Sequence, residues 1–414
     1  MRIAILTNAY PYYPGEQFIE DEIVYWANNP LAKVTLLPAV AAGEPRPIPE
    51  GISLNLDMAG DTRAERLWFT LLAMFSAIFR HELGQLRQSR KMGVRTVLRA
   101  LLHTSKVLGQ ARRLERYAQA NGRIDVAYCY WNETQSYAAV LAKARGSVRK
   151  VVSRAHGFDL YEMRRELGYM PLKRQFIRAY DRIYALSRQG RTYLEETYGA
   201  PPDKVGISPL GVPLTGTLSR PSPAGSLHVV SVSFCLPVKR LDRIIEALNL
   251  FAHQHEQLEI RWTHIGGGPL LDEIRRLAGA RLTDIDGVSF EFLGEMPNHA
   301  IKKYYLDTPV DVFINTSESE GVPVSIMEAM SAGVPALAPD VGGVSSLVSD
   351  ECGVLLSQCP GIQEIADAIG RVALEDGRDA LRTNARKVIE ARFSSARNYA
   401  DFVSDVLAIE STPG

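Results

Sequence analysis

Residues 310–335 read VDVFINTSESEGVPVSIMEAMSAGVP. The opening VDVFINTS has the apolar, β-branched composition of a buried strand, and a helix-compatible segment starts beside Pro323, where a missing N–H costs little. Acids and a glycine lie between them. Glu320 and Glu328 stand eight residues apart, about 80° of rotation on a helix, so they do not share one face. With Glu320 in the loop, its carboxylate reaches over the helix N-terminus while Glu328 points from the helix side. A helix N-terminus at the carboxyl end of a strand suits a diphosphate, because unpaired N–H groups and the helix dipole both favour anions. The two carboxylates then accept hydrogen bonds from sugar hydroxyls. By spacing alone, a strand–loop–helix unit with solvated acids explains the pattern at least as well.

The full string, with Ala329, Gly333 and Pro335 after the second glutamate, resembles the signature of retaining glycosyltransferases of family 4, and looks closest to bacterial enzymes that build surface polysaccharides. The resemblance implies an α/β architecture of GT-B type: two Rossmann-like domains facing an interdomain cleft, with a C-terminal helix crossing back. It implies Glu320 at the donor sugar and Glu328 at the nucleotide ribose. Gly321, Val322, Val324 and Ser325 would line the donor from the loop and helix start.

A chain of 414 residues fits two α/β domains of about 200 residues each. The expected division is an acceptor-binding domain over 1–213, a Pro/Gly/Ser-rich linker over 214–226, a nucleotide-sugar domain over 227–394, and the returning helix over 395–414. The chain opens directly on RIAILTN with no basic-then-apolar leader, and the four cysteines form no C-x-x-C or metal spacing. A cytoplasmic protein with reduced thiols is the expectation. Net charge is zero, yet residues 1–215 carry 30 Lys/Arg against 20 Asp/Glu, and the rest carry 17 against 27. That asymmetry points the N-terminal half toward something anionic. Residues 61–120 hold 12 basic and 4 acidic side chains around the apolar run LWFTLLAMFSAIF at 67–79. Two or three helices are expected there. The run is too short to span a bilayer, but suits a helix on an anionic membrane surface, on the inner face of the cell membrane; a core helix with a solvated basic neighbour is the alternative.

Further elements carry the remaining candidates. Residues 2–8 read as a strand, followed by a loop with Gly15 and a helix in which Ile19, Ile23 and Trp26 share a side. Gly15 is a donor-side candidate, though an ordinary βα loop accounts for it equally. The strand at 150–155 ends at His156-Gly157, and a ligand-side position after a strand's carboxyl end is where α/β sheets bind; in the family a His-Gly pair stands here, with the His toward the donor sugar. After the strand at 227–234, Lys239 and Arg240 sit near a helix start, where cations need an anionic reason. By resemblance Lys239 holds the donor diphosphate. The family's second cation is absent, since Phe234 stands in its place, and Arg240 is the candidate substitute. The run Gly266-Gly267-Gly268-Pro269 allows close backbone approach and resembles the family's G-x-G-P element at the nucleotide, with Glu295 near the base; a tight turn explains it as well.

The chemistry implied is transfer from a nucleotide-diphosphate sugar to a glycan or lipid-linked acceptor, with His156, Glu320 and Lys239 as the catalytic group. No Asp-x-Asp stands where a metal would be held, so no metal and no cofactor are expected, and no nucleic-acid partner. Two rivals are a nucleotide-sugar 2-epimerase of the same fold and a non-catalytic sugar-nucleotide binder. A dehydrogenase is disfavoured because no G-x-G-x-x-G follows the first strand.

Overall fold

The computed structural model describes residues 1–13, 16–374 and 377–411, the side chains of 410 and 411 excepted. Gly15 lies outside the described residues. The chain forms two compact units, Met1–Pro209 with the described residues from Tyr399 on, and Leu210–Asn398.

Unit 1 is built on a sheet of β1 (Arg2–Thr7), β2 (Lys33–Pro38), β3 (Ile52–Leu54), β4 (Ile124–Cys129), β5 (Val148–Ala155), β6 (Arg182–Ala185) and β7 (Val205–Ile207). Their order is β3-β2-β1-β4-β5-β6-β7, every neighbour parallel. Parallel strands covered on both faces are near-continuous apolar runs, and their period of two divides them between two cores. Ile3, Ile5, Val126 and Tyr128 enter one, Ala4, Leu6, Ala127 and Cys129 the other. The Ser395–Ser411 helix adds Phe402, Val403 and Val406 to the first of these cores, with Phe402 edge-on to Tyr128 at 5.0 Å and beneath the Arg154 guanidinium at 3.8 Å.

Unit 2 repeats the plan with β8 (Ser226–Val232), β9 (Glu259–Ile265), β10 (Val288–Gly294), β11 (Val312–Ile314), β12 (Ala336–Pro339) and β13 (Gly353–Leu356). The order is β10-β9-β8-β11-β12-β13, again parallel throughout. In each sheet the winding reverses between two adjacent strands, β1 and β4 in unit 1, β8 and β11 in unit 2. The carboxyl ends at such a reversal leave a crevice where ligands bind.

Three local readings change. The run VDVFINTS pairs as a strand only over Val312–Ile314; beyond it Asn315 reaches Glu320 in the following loop and Thr316 reaches the Arg240 carbonyl in the loop after β8. The apolar run 67–79 is not one helix: Arg63–Phe75 and Ala77–Gln88 meet at Ser76, whose extended backbone ends the first while its hydroxyl accepts from Phe79 N at 3.1 Å. The short strands β7 and β13 have no signature in the sequence, since three or four residues carry no periodicity to read. Among the described residues no helix is long and apolar enough to cross a membrane.

Candidate functional site

At the reversal in unit 2, the loops after β8 and β11 are stitched together by backbone. Glu318 N donates to Val238 O at 2.9 Å, and Thr316 Oγ1 donates to the carbonyls of Lys239 and Arg240 at 3.1 and 2.8 Å. Arg240 takes a left-handed conformation (φ 50°, ψ 45°) just ahead of the Leu241–Gln254 helix. This frame sets Lys239 Nζ 2.6 Å from Glu320 Oε1, an oxygen that also accepts from Asn315 Nδ2 at 3.1 Å. Glu320 is buried. Burial would raise its carboxyl; the Lys239 ammonium, with hydrogen bonds from Ser317 and Asn315, outweighs that and holds it below the usual carboxylate range.

Glu320 sits in the loop just before the Val324–Ser331 helix, with Pro323 as N-cap residue and Val324 and Ser325 half-buried in the first turn. Glu328 is buried on that helix and accepts from Asn298 Nδ2. Gly342 fixes the loop from behind: at φ +60° it lies so close that a Cβ would stand 1.9 Å from the Glu320 carbonyl oxygen. Gly343 N donates to Gly321 O at 2.6 Å, and Val322 is buried against the same turn. Arg240 is turned to the acids at its sides, Asp242 at 2.8 Å and Glu318 at 2.6 Å. The glycine run 266–268 packs on the chain itself. Cβ positions at Gly266 and Gly268 fall on the backbone of Ser233 and Cys235, and that of Gly267 on the exposed Glu295 side chain.

The matching place in unit 1 is occupied differently. Glu16, left-handed at φ 58°, accepts from the N–H groups of Asn8, Ala9 and Tyr10 at 2.9, 2.6 and 2.5 Å and from the Trp131 indole. The loop's backbone donors are thus satisfied by the chain's own carboxylate. Trp131 lies 4.6 Å from the His156 ring, and Tyr130 stacks on that ring at 4.7 Å. The His156 side chain is only 9% exposed, and among the described residues neither ring nitrogen has a hydrogen-bond partner. Its backbone N–H donates to Asp159 Oδ1 at 2.7 Å, while the ring Nδ1 stands 3.7 Å from Oδ2. Burial alone would raise Asp159; the neighbouring imidazole and the Lys173 ammonium hold it down at about 2.

The structure therefore joins Lys239 and Glu320 as an ion pair and leaves His156 as an unsatisfied buried imidazole. Asn315 bonds the Glu320 carboxylate, Asn298 holds Glu328, and Glu16 anchors Trp131 beside the His156 ring; nothing in the sequence marks Asn315 or Trp131 for such a role. Among the described residues no three His, Cys, Asp or Glu side chains are placed to hold a metal ion.

Comparison with known proteins follows the same division. The family model described as "Glycosyl transferases group 1" matches residues 219–388, and "Glycosyltransferase Family 4" matches residues 79–215. A protein of Escherichia coli (strain K12) named as a colanic acid biosynthesis glycosyltransferase, WcaL, is 30% identical over 247 residues, covering 57% of this chain and 58% of its own length. The chain spans about half the length of the curated relatives it matches. Among solved structures, the lipopolysaccharide outer core galactosyltransferase WaaB in its apo form superimposes with a TM-score of 0.67 at 14% identity over 99% of both chains. Anabaena HepE in complex with UDP-glucose superimposes at 0.65 and 14% identity, over 98% of this chain and 99% of its own. At such identities the likeness concerns the fold, which is GT-B in both.

Proposed function

The chain belongs to the family 4 glycosyltransferases of GT-B fold, and on that premise we propose that it transfers a sugar from a nucleotide-diphosphate sugar to a glycan or lipid-linked acceptor, with retention at the anomeric carbon, in the synthesis of a bacterial surface polysaccharide. The observation that carries this reading is the Lys239–Glu320 pair at the sheet reversal of unit 2, beside the N-terminus of the Val324–Ser331 helix.

The chemistry follows from charge. The bond from the anomeric carbon to the β-phosphate oxygen breaks, and negative charge collects on the leaving diphosphate. Lys239 and the first-turn N–H groups stabilise that charge. A bound diphosphate gives Lys239 a second anionic partner, which releases Glu320 to accept hydrogen bonds from the sugar as it becomes oxocarbenium-like. Glu328, steadied by Asn298, takes the ribose hydroxyls. The acceptor hydroxyl bonds to the anomeric carbon on the face the diphosphate leaves, and its proton passes to the departing phosphate oxygen. Lys239 and the helix dipole supply the positive charge, so no step is routed through a metal. Support for a UDP-type donor comes from HepE, solved with UDP-glucose.

His156 is assigned to the sugar through a ring nitrogen. His156→Ala is expected to lower kcat roughly 10²-fold while leaving nucleotide affinity unchanged; a loss of nucleotide affinity equal to the loss of rate would contradict that role. For the reaction itself, the protein is incubated with nucleotide sugars and oligosaccharide or lipid-linked acceptors, and products are read by NMR. A glycoside with the donor's anomeric configuration supports transfer with retention. An inverted product removes the retaining mechanism, and a C2-epimerised sugar without glycoside means the 2-epimerase. Residues 61–120 are proposed to rest on an anionic membrane, in keeping with a cytoplasmic enzyme peripheral to its inner face. Sedimentation with anionic vesicles at low salt, lost in an Arg87, Arg90 and Arg95 triple substitution, is the expected result; no sedimentation contradicts it.

A further inference from the structure

Three neighbouring strands of unit 1, β1, β4 and β5, each bring one side chain to the same place past their carboxyl ends. Glu16 comes from the loop after β1, Trp131 from the loop after β4, and His156 directly follows β5.

The loops after β4 and β5 are locked together by two buried charges. Asp159 accepts from Asn132 N at 2.8 Å through Oδ2 and from His156 N at 2.7 Å through Oδ1. The Lys173 ammonium donates to Asn132 O and Oδ1 at 2.9 and 2.6 Å and to the Asp159 carbonyl. Both side chains are almost wholly buried. Charges so far from water persist only where hydrogen bonds surround them, and these hydrogen bonds go to the backbone beside Trp131 and at His156. The separation of the two residues is therefore set by the fold and not by their own side chains.

Within that frame the His156 ring is held by packing. Tyr130 stacks on it at 4.7 Å with 21° between the planes, and Trp131 meets it at 4.6 Å and 47°. Tyr130 and Trp131 are themselves 5.8 Å apart, so they press on the imidazole from different directions. A hydrogen bond would fix the ring by occupying a nitrogen, whereas ring contacts fix it and leave both nitrogens to a ligand. Trp131 is itself pinned: its indole N–H donates to the Glu16 carboxylate, which the N–H groups of Asn8, Ala9 and Tyr10 hold in place.

We propose that Trp131 is a positioning residue for sugar transfer: tied to Glu16, it fixes with Tyr130 the attitude of the His156 ring, so that a ring nitrogen meets the sugar already oriented. The inference rests on the glycosyltransferase reading and deepens it, since it says how this chain holds its imidazole without a hydrogen bond to the ring.

The test compares the wild type, Trp131→Leu, Trp131→Phe and His156→Ala, and each Trp131 variant combined with His156→Ala. Turnover of UDP-glucose, UDP-N-acetylglucosamine and GDP-mannose is read as nucleoside diphosphate released. Trp131→Leu is expected to lower kcat about tenfold, and Trp131→Phe, which keeps a ring but not the tie to Glu16, about threefold. Donor KM and nucleotide-induced thermal stabilisation stay as in the wild type. Each double variant is expected to be no slower than His156→Ala alone, because a residue acting through the imidazole has nothing to act on once the imidazole is gone. The His156 Hε1 resonance, displaced by the ring currents of its neighbours, is expected to move toward its free-histidine position in Trp131→Leu. Losses that multiply in the double variants overturn the proposal, as does a donor KM that rises in step with the fall in kcat. An Hε1 resonance that stays in place does the same. If Trp131→Leu fails to fold, the Trp131→Phe pair gives the same reading. A wild type that turns over no nucleotide sugar ends the glycosyltransferase reading and this inference with it; turnover in the wild type with multiplying losses removes the role of Trp131 alone.

Discussion

In unit 1 the loop after β1 gives the N–H groups of Asn8, Ala9 and Tyr10 to Glu16, whereas in unit 2 the loop after β8 ends on Lys239, held by Glu320 from the neighbouring β11 loop. Topology is the same in both places, and a buried or half-buried carboxylate occupies both. The partners differ in kind. Backbone N–H groups cannot swing away, so Glu16 behaves as a built-in anion that closes its loop. A lysine ammonium on a four-carbon stem can turn from Glu320 to a better anion without moving the backbone. On the proposed reading, the second of the two sheet reversals is the one that receives the diphosphate.

The comparison breaks most visibly at Lys239. Lys239→Ala removes the cation and leaves Glu320 buried without it, and kcat/KM should fall about 10²–10³-fold; steady-state kinetics showing less than a tenfold loss would place the diphosphate elsewhere. Gly342→Ala comes next. A Cβ at φ +60° and 1.9 Å from the Glu320 carbonyl must displace the loop, with roughly 2–3 kcal/mol lost in urea unfolding and activity lost with it. Glu16→Gln should cost about 1–3 kcal/mol, because an amide oxygen replaces a carboxylate under three N–H groups and an indole, yet leave nucleotide affinity unchanged.

The smallest effect is in pH. Glu320 in unit 2 and Asp159 in unit 1 are both more acidic folded than unfolded. Each therefore adds stability above its unfolded pKa, near 4, that is lost as pH falls through its folded value, about 2 for Asp159. Glu320→Gln and Asp159→Asn should each flatten the fall in stability on acidification; unchanged acid profiles would mean that neither carboxylate is held as the structure has it.

Much of this was legible in the chain. The strands announce themselves as apolar runs because parallel sheets bury both faces, and the string at 318–335 carries its loop, Glu320 and helix together. What was not legible depends on contacts across sequence. Asn298 reaches Glu328 over 30 residues and Trp131 reaches Glu16 over 115, and no local pattern marks either. Gly342 reads as a turn; that its turn abuts the Glu320 carbonyl is a matter of packing. The break at Ser76 was hidden because a serine inside an apolar run looks like a surface helix position until its hydroxyl caps Phe79. The resemblance assigns Lys239 to phosphate and Glu320 to sugar one residue at a time, but their pairing is seen only when the two loops are laid side by side.

The central claim is that the Lys239–Glu320 pair opens to a nucleotide diphosphate. Its most direct measurement is thermal unfolding with UDP, GDP, ADP and their sugars, on the wild type, Lys239→Ala and Glu16→Gln. A ligand at about 100 times its Kd stabilises by roughly 2.7 kcal/mol. The account predicts stabilisation by one nucleotide class in the wild type, kept in Glu16→Gln and abolished in Lys239→Ala. Stabilisation that survives in Lys239→Ala, or is lost in Glu16→Gln instead, would contradict it.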